Sequence, residues 1–165
     1  MNTLNWLYNK TVKKHFFHPQ GILGEKEIIQ DQAASGLGQV GSPACGDMMK
    51  MWIWVDPKKD RIIKMRWQTF GCASAIASTS MLYEMLMRKK SGTTITEALK
   101  ITPVEIMQKL GGLPKEKIHC SVLGDQVLQA AIFDYFRKSQ QTARIPAWAQ
   151  KTQSQKRKKC LVKPK

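Results

Sequence analysis

The chain has 165 residues, enough for one ordinary domain with a core and too few for two comfortable ones, and its 42% hydrophobic and 24% charged content is that of a soluble globular protein. No apolar run approaches the ~20 residues needed to span a bilayer, and Met1-Asn2-Thr3-Leu4-Asn5-Trp6 lacks the basic, apolar and small-residue regions of a signal peptide, so a cytoplasmic location with no membrane partner is expected. The net charge of +15 divides unevenly: residues 1–136 carry 17 Lys/Arg against 12 Asp/Glu, while residues 137–165 carry 10 and no acid, which describes a mildly basic domain with a basic tail and argues against a nucleic-acid partner.

In chain order, Leu4, Leu7, Tyr8, Val12, Phe16 and Phe17 recur at helical spacing, and His18-Pro19-Gln20-Gly21 ends that helix because proline cannot continue its hydrogen-bond ladder. His15 and His18 read as helix-end packing residues. Residues 34–46, rich in glycine and small side chains, are expected to form loop and a short irregular strand. Met49, Met51, Ile53 and Val55 then alternate with Lys50, Trp52 and Trp54, and Ile63, Met65, Trp67 and Thr69 alternate again across the turn Asp56-Pro57-Lys58-Lys59-Asp60, which predicts an antiparallel hairpin.

Residues 73–90, rich in Ala and Met, predict a helix closing on Arg88-Lys89-Lys90, cations that suit the negative end of the helix dipole. Thr94-Ile95-Thr96-Glu97 and Thr102-Pro103-Val104-Glu105 each have capping-box spacing, the second with proline at the first helical position. Gly111-Gly112 stops the second helix, and a last one is expected from about His119 to Arg137. Helix, strands, then helices make an α+β fold with a small antiparallel sheet of about three strands packed on helices and a long C-terminal helix. The expected domain is 1–138. Residues 139–165, polar, basic and aperiodic, are expected to be a disordered tail.

Four cysteines in a reducing compartment do not predict a disulfide framework. Cys45 lies in the loop entering a strand, Cys72 between a strand end and a helix start, and Cys120 at the opening of the last helix. Side chains can converge at such element ends, and a helix N-terminus favours a thiolate. Asp47 is two residues from Cys45, and His119 adjoins Cys120, so a harder, more exchangeable fourth ligand is at hand for zinc or an iron–sulfur unit. The spacing alone is not specific, because no CxxC pair is present, and three partly buried structural cysteines remain the plain alternative. Cys160, after Lys156-Arg157-Lys158-Lys159, reads as an oxidation-prone bystander.

These segments resemble those of the IscU family, including the N-terminal domain of NifU. Gly41-Ser42-Pro43-Ala44-Cys45-Gly46-Asp47 is similar to its first cysteine motif, Phe70-Gly71-Cys72-Ala73-Ser74-Ala75 to the second, and Lys117-Ile118-His119-Cys120-Ser121 to the third, in the family's order. The resemblance implies a scaffold that assembles a [2Fe-2S] cluster from iron and sulfur and passes it to apo iron–sulfur acceptor proteins, with no small-molecule turnover. By the same resemblance Cys45, Asp47, Cys72, His119 and Cys120 match the cluster-site positions, Cys120 first and Cys72 after it match cysteines that accept sulfur from a cysteine desulfurase, and the cluster-free form can bind iron or zinc. A zinc-dependent sulfurtransferase partner of the SufU type is the alternative. A chaperone pair is implied through Leu113, Pro114 and Lys117, but on a degenerate motif: Lys115-Glu116 replaces an apolar middle and would have to be desolvated.

Overall fold

A computed structural model describes residues 8–24, 27, 29–41, 46–114 and 119–149, with only the backbone described at residues 119–121. The elements are α1 (Lys10–Phe17), β1 (Gly36–Gly41), β2 (Met48–Asp56), β3 (Arg61–Phe70), α2 (Ala73–Met87), β4 (Thr93–Thr94), α3 (Ile95–Ala98), α4 (Pro103–Lys109) and α5 (His119–Lys138), with short 3₁₀ turns at Asp31–Ala33 and Thr142–Arg144. The strands lie in the order β1-β2-β3-β4, each antiparallel to its neighbour, and α2 and α5 pack on the sheet while α1 and α4 pack on those helices. The fold is therefore α+β with a long last helix. The sheet has four strands rather than about three, because Thr93–Thr94, paired with Ile62 and Arg61, is too short to show any alternation in sequence.

The hairpin forms, with one shift in phase. Met49, Met51 and Ile53 are buried on β2, and Met65 and Trp67 on β3, as period two requires. The alternation then breaks: Trp54 pairs with Lys64 but Val55 pairs with Ile62, leaving Ile63 as the extra residue of a bulge. Ile62 is consequently buried, and Ile63, expected on the core face, is exposed. On the sheet's other face Trp52 is also buried, because residues 29–35 fold across it. Trp52 Nε1 donates to Asp31 Oδ1 at 2.9 Å, Trp54 Nε1 donates to the Ala33 carbonyl at 2.9 Å, and Lys50 Nζ donates to Asp31 Oδ2 at 2.9 Å. The Lys50 and Trp52 hydrogen bonds hold the Asp31 carboxyl below the usual carboxylate range.

Both capping boxes are formed. Glu97 and Glu105 donate their backbone N–H to Thr94 and Thr102 Oγ1, and each carboxylate accepts the threonine's N–H in return. Hydrogen bonds from Thr94 and Lys89 pull the Glu97 carboxyl down to about 2. Asn9 caps α1 by accepting from the Val12 N–H at 2.9 Å and ties it to the end of α4 by donating to the Leu110 carbonyl at 2.8 Å. His15 is buried, as a packing residue should be, with Nδ1 2.7 Å from Ser80 Oγ; burial holds its imidazole below its ordinary pKa, against the pull of Glu84.

Helix α5 lies across β1 at backbone contact. A Cβ on Gly36 would overlap the Ala131 carbonyl, and one on Gly38 the Val127 carbonyl, so the two glycines set how closely the helix approaches the strand.

The chain does not leave the domain at Lys138. Arg144 Nη1 and Nη2 donate to Asp60 Oδ1 and Oδ2 at 2.8 and 2.7 Å, its guanidinium stacks 4.4 Å from the centre of the Phe136 ring, Ile145 is buried, and Trp148 meets Phe133 edge-on at 5.9 Å. Residues 139–149, which the sequence assigns to the tail, form a strap over α5, held by single anchors that leave no periodic trace. The remainder of the expected tail, residues 150–165, lies outside the described residues. Truncation after Lys138 should therefore lower the unfolding free energy by roughly 2–3 kcal/mol, mainly through lost burial of Ile145 and Ala149 and the lost ring contact of Trp148 with Phe133. The half-exposed Arg144–Asp60 pair adds little to that figure. A urea midpoint equal to that of the full chain would show that the strap contributes nothing.

Candidate functional site

Three strand ends meet at one end of the sheet. Gly41 closes β1 opposite Met48, which opens β2, and Met48 lies opposite Phe70, which closes β3. Gly46 and Asp47 lead into β2, and Gly71 and Cys72 lead from β3 into α2. Gly46 has φ of +71°, a left-handed conformation that favours glycine and turns the chain into β2.

The fourth arrival is α5. It runs antiparallel to β1, since Gly36 faces Ala131 and Tyr135 while Gly38 faces Val127 and Ala131. From Gly38 to Gly41 the strand advances by about 10 Å, which corresponds to about seven helical residues at about 1.5 Å each. The first turn of α5, carrying His119 and Cys120, is therefore brought alongside the Gly41 end.

Two of the expected cluster-site residues are placed with their side chains. Asp47 is only 5% exposed, unusual for an acid at a strand entrance. Cys72 is half-buried and occupies the N-cap of α2, where the helix dipole favours negative charge. The two junctions touch: a Cβ on Gly71 would stand 3.1 Å from the Asp47 carboxyl carbon, so glycine there leaves the carboxylate room beside the Cys72 turn. Cys45, the residue immediately before Gly46, lies outside the described residues, as does Lys117. His119 and Cys120 are placed by backbone alone, as the first two residues of α5. Leu113 packs against the core and Pro114 is half-buried, after the α4 stop at Gly111 and Gly112. Among the described residues no three His, Cys, Asp or Glu side chains are placed to hold a metal ion.

A carboxylate and a half-buried thiol on adjoining turns suit a borderline or soft metal better than a hard one, which takes oxygen throughout. The donor types thus fit an iron–sulfur or zinc unit. One feature of the rim escaped the sequence reading. Phe70 is 83% exposed and its cross-strand partner Met48 51%, so two large apolar side chains stand open beside Asp47 and Gly71. Their signal was parity: both fall in even positions on strands whose core at this end is odd.

Comparison with known proteins shows what the chain is similar to. Residues 7–142 match the family model described as the NifU-like N-terminal domain. The chain is 48% identical over 133 residues to the iron–sulfur cluster assembly scaffold protein IscU 1 of Archaeoglobus fulgidus, covering 81% of this chain and 79% of that one. It is 43% identical over 134 residues to the nitrogen fixation protein NifU of Trichormus azollae, covering 79% of this chain but spanning only 42% of that relative's length. Among solved structures, the N-terminal part of a NifU-like protein from Brucella abortus superposes with a TM-score of 0.54 at 14% identity, over 80% of this chain and 96% of that one, a likeness of fold.

Proposed function

Because the chain belongs to the NifU-like N-terminal domain family, we propose that it is an iron–sulfur scaffold, which assembles a [2Fe-2S] cluster as cargo from iron and desulfurase-derived sulfur and passes it to apo-proteins. The observation that carries this reading is the convergence of the β2 entrance, the β3–α2 turn and the α5 start at one end of the sheet. Those are the junctions that bear Asp47, Cys72 and the His119-Cys120 pair, with Cys45 next to the first.

In this reading the thiolates of Cys45, Cys72 and Cys120 bind iron, and Asp47 supplies the fourth position, with His119 able to take its place. Soft thiolates hold the cluster, and the harder oxygen or nitrogen donor is the one exchanged when a recipient arrives. Sulfur enters through Cys120: its thiolate attacks the outer sulfur of the desulfurase's persulfide, a new S–S bond forms on Cys120, and the desulfurase leaves as its own thiolate. The chain's contribution is to position and release the cargo, so no small substrate is turned over.

Anaerobic reconstitution with iron, a cysteine desulfurase and cysteine tests the proposal. Thiolate-to-iron charge-transfer absorption should appear and then pass to an apo-ferredoxin. Tightly held zinc that resists iron, with sulfur relayed but no cluster formed, would favour the zinc-dependent alternative. Asp47→Ala should still assemble the cluster but release it more slowly, because the site loses its hardest and most exchangeable donor and keeps only the softer His119 for the fourth position. Transfer to apo-ferredoxin at the parent rate or faster would remove Asp47 from the release step.

A further inference from the structure

The two glycines beside the site residues are glycine for different reasons. Gly46 has its left-handed φ of +71°, and a Cβ on it would meet nothing within 4 Å. Gly71 has no positive φ, so its backbone does not call for glycine. A Cβ there would instead stand 3.1 Å from the Asp47 carboxyl carbon, 3.2 Å from Thr69 Oγ1 and 3.3 Å from the Ala75 Cβ. What position 71 reserves is space.

Two of the three walls of that space are fixed. Ala75 is fully buried in the first turn of α2. Thr69 Oγ1 donates to the Met48 carbonyl at 2.7 Å, which ties the end of β3 to the residue after Asp47. The third wall is the Asp47 carboxyl, carried on two rotatable bonds. Asp47 is buried while Gly71 itself is exposed, so the carboxyl lies folded over position 71. It is also the wall that must move when the space is filled.

We propose that Gly71 is a positioning residue: the space it leaves is a seat that holds the Asp47 carboxyl at the Cys72 turn, and through that seat it sets the rate of cluster release. The release role rests on the scaffold reading above; the seat does not. A donor seated within reach of the metal engages and leaves without a search over rotamers, whereas one pushed into water must be reordered each time. With the seat filled, Asp47 is lost to the site much as by deletion, and the fourth position falls to His119.

Gly71→Ala tests this. In the metal-free chain, the ¹³C signal of the Asp47 carboxyl should move toward that of a solvent-exposed aspartate. After reconstitution the variant should still assemble the cluster, and its transfer to apo-ferredoxin should slow by the same factor as in Asp47→Ala. The double variant Gly71→Ala, Asp47→Ala should be no slower than Asp47→Ala, because the residue through which Gly71 acts is gone. An unmoved carboxyl signal, transfer at the parent rate, or further slowing in the double variant would each overturn the proposal. If Gly71→Ala alone failed to fold, recovery of the fold in the double variant would locate the conflict at the carboxyl, as the seat requires; failure of both would assign the space to Thr69 and Ala75 and overturn it. The carboxyl signal is read without a cluster, so seat and scaffold can fail separately. A moved signal with no cluster on the parent chain would remove the release role and keep the seat, and assembly with an unmoved signal would remove the seat alone.

Discussion

Gly38→Ala should destabilise the protein by about 3 kcal/mol, at the upper end of the cost of overpacking a core. A Cβ there would overlap the Val127 carbonyl, lie 2.8 Å from the Ala131 nitrogen and 3.2 Å from the Ala131 Cβ. The first two are backbone atoms within a regular helix, so no side-chain rotation relieves the overlap and α5 must move off the strand. Val127 and Ala131 are themselves fully buried, and displacing them opens the core on both sides. Since α5 delivers His119 and Cys120 to the Gly41 end, the variant should also lose cluster assembly more steeply than its stability alone explains. Chemical denaturation gives the first quantity and reconstitution at a temperature where the variant is folded gives the second. A change in midpoint corresponding to less than ~1 kcal/mol would show that α5 does not press on β1 as described.

Cys120→Ser should abolish persulfide formation from a cysteine desulfurase, while Cys160→Ser should leave it intact. Cys120 is the second residue of a 20-residue helix, at the end where the dipole favours the thiolate, and the thiolate is the attacking species. A serine hydroxyl keeps the shape but offers no comparable nucleophile at neutral pH. Cys160 follows four cations, which also favour a thiolate, yet it belongs to none of the three junctions that meet at the sheet end. Radiolabelled sulfur followed by non-reducing gel and peptide mass separates the two. Label kept in Cys120→Ser and lost in Cys160→Ser would move the acceptor to the tail.

Features with a local cause were legible in the sequence. The capping boxes at Thr94 and Thr102, the Gly111-Gly112 stop and the turn at Asp56-Pro57 depend on residues within a few positions of one another, and all are formed. Features that depend on distant partners were not. Burial of Trp52 needs Asp31 to arrive from twenty-one residues away, and the exposure of Ile63 follows from a bulge set by the pairing of β2 with β3. The strap is held by Arg144, Ile145 and Trp148, whose partners Asp60, Phe136 and Phe133 could not be read from an aperiodic stretch. At the site, Cys72 and Asp47 were legible because each flanks a strand boundary, where period two gives way to a glycine. The burial of Asp47 was not, since it comes from the neighbouring Gly71 turn.

Mössbauer spectroscopy of the full chain, reconstituted anaerobically with enriched iron, tests the scaffold reading most directly. Two ferric ions coupled through sulfide should give quadrupole doublets with no magnetic splitting at low applied field, in a ratio of two irons and two sulfides per cluster, and Cys72→Ser should lose that signal while remaining folded. A spectrum of adventitious mononuclear iron alone, with zinc still bound, would contradict it.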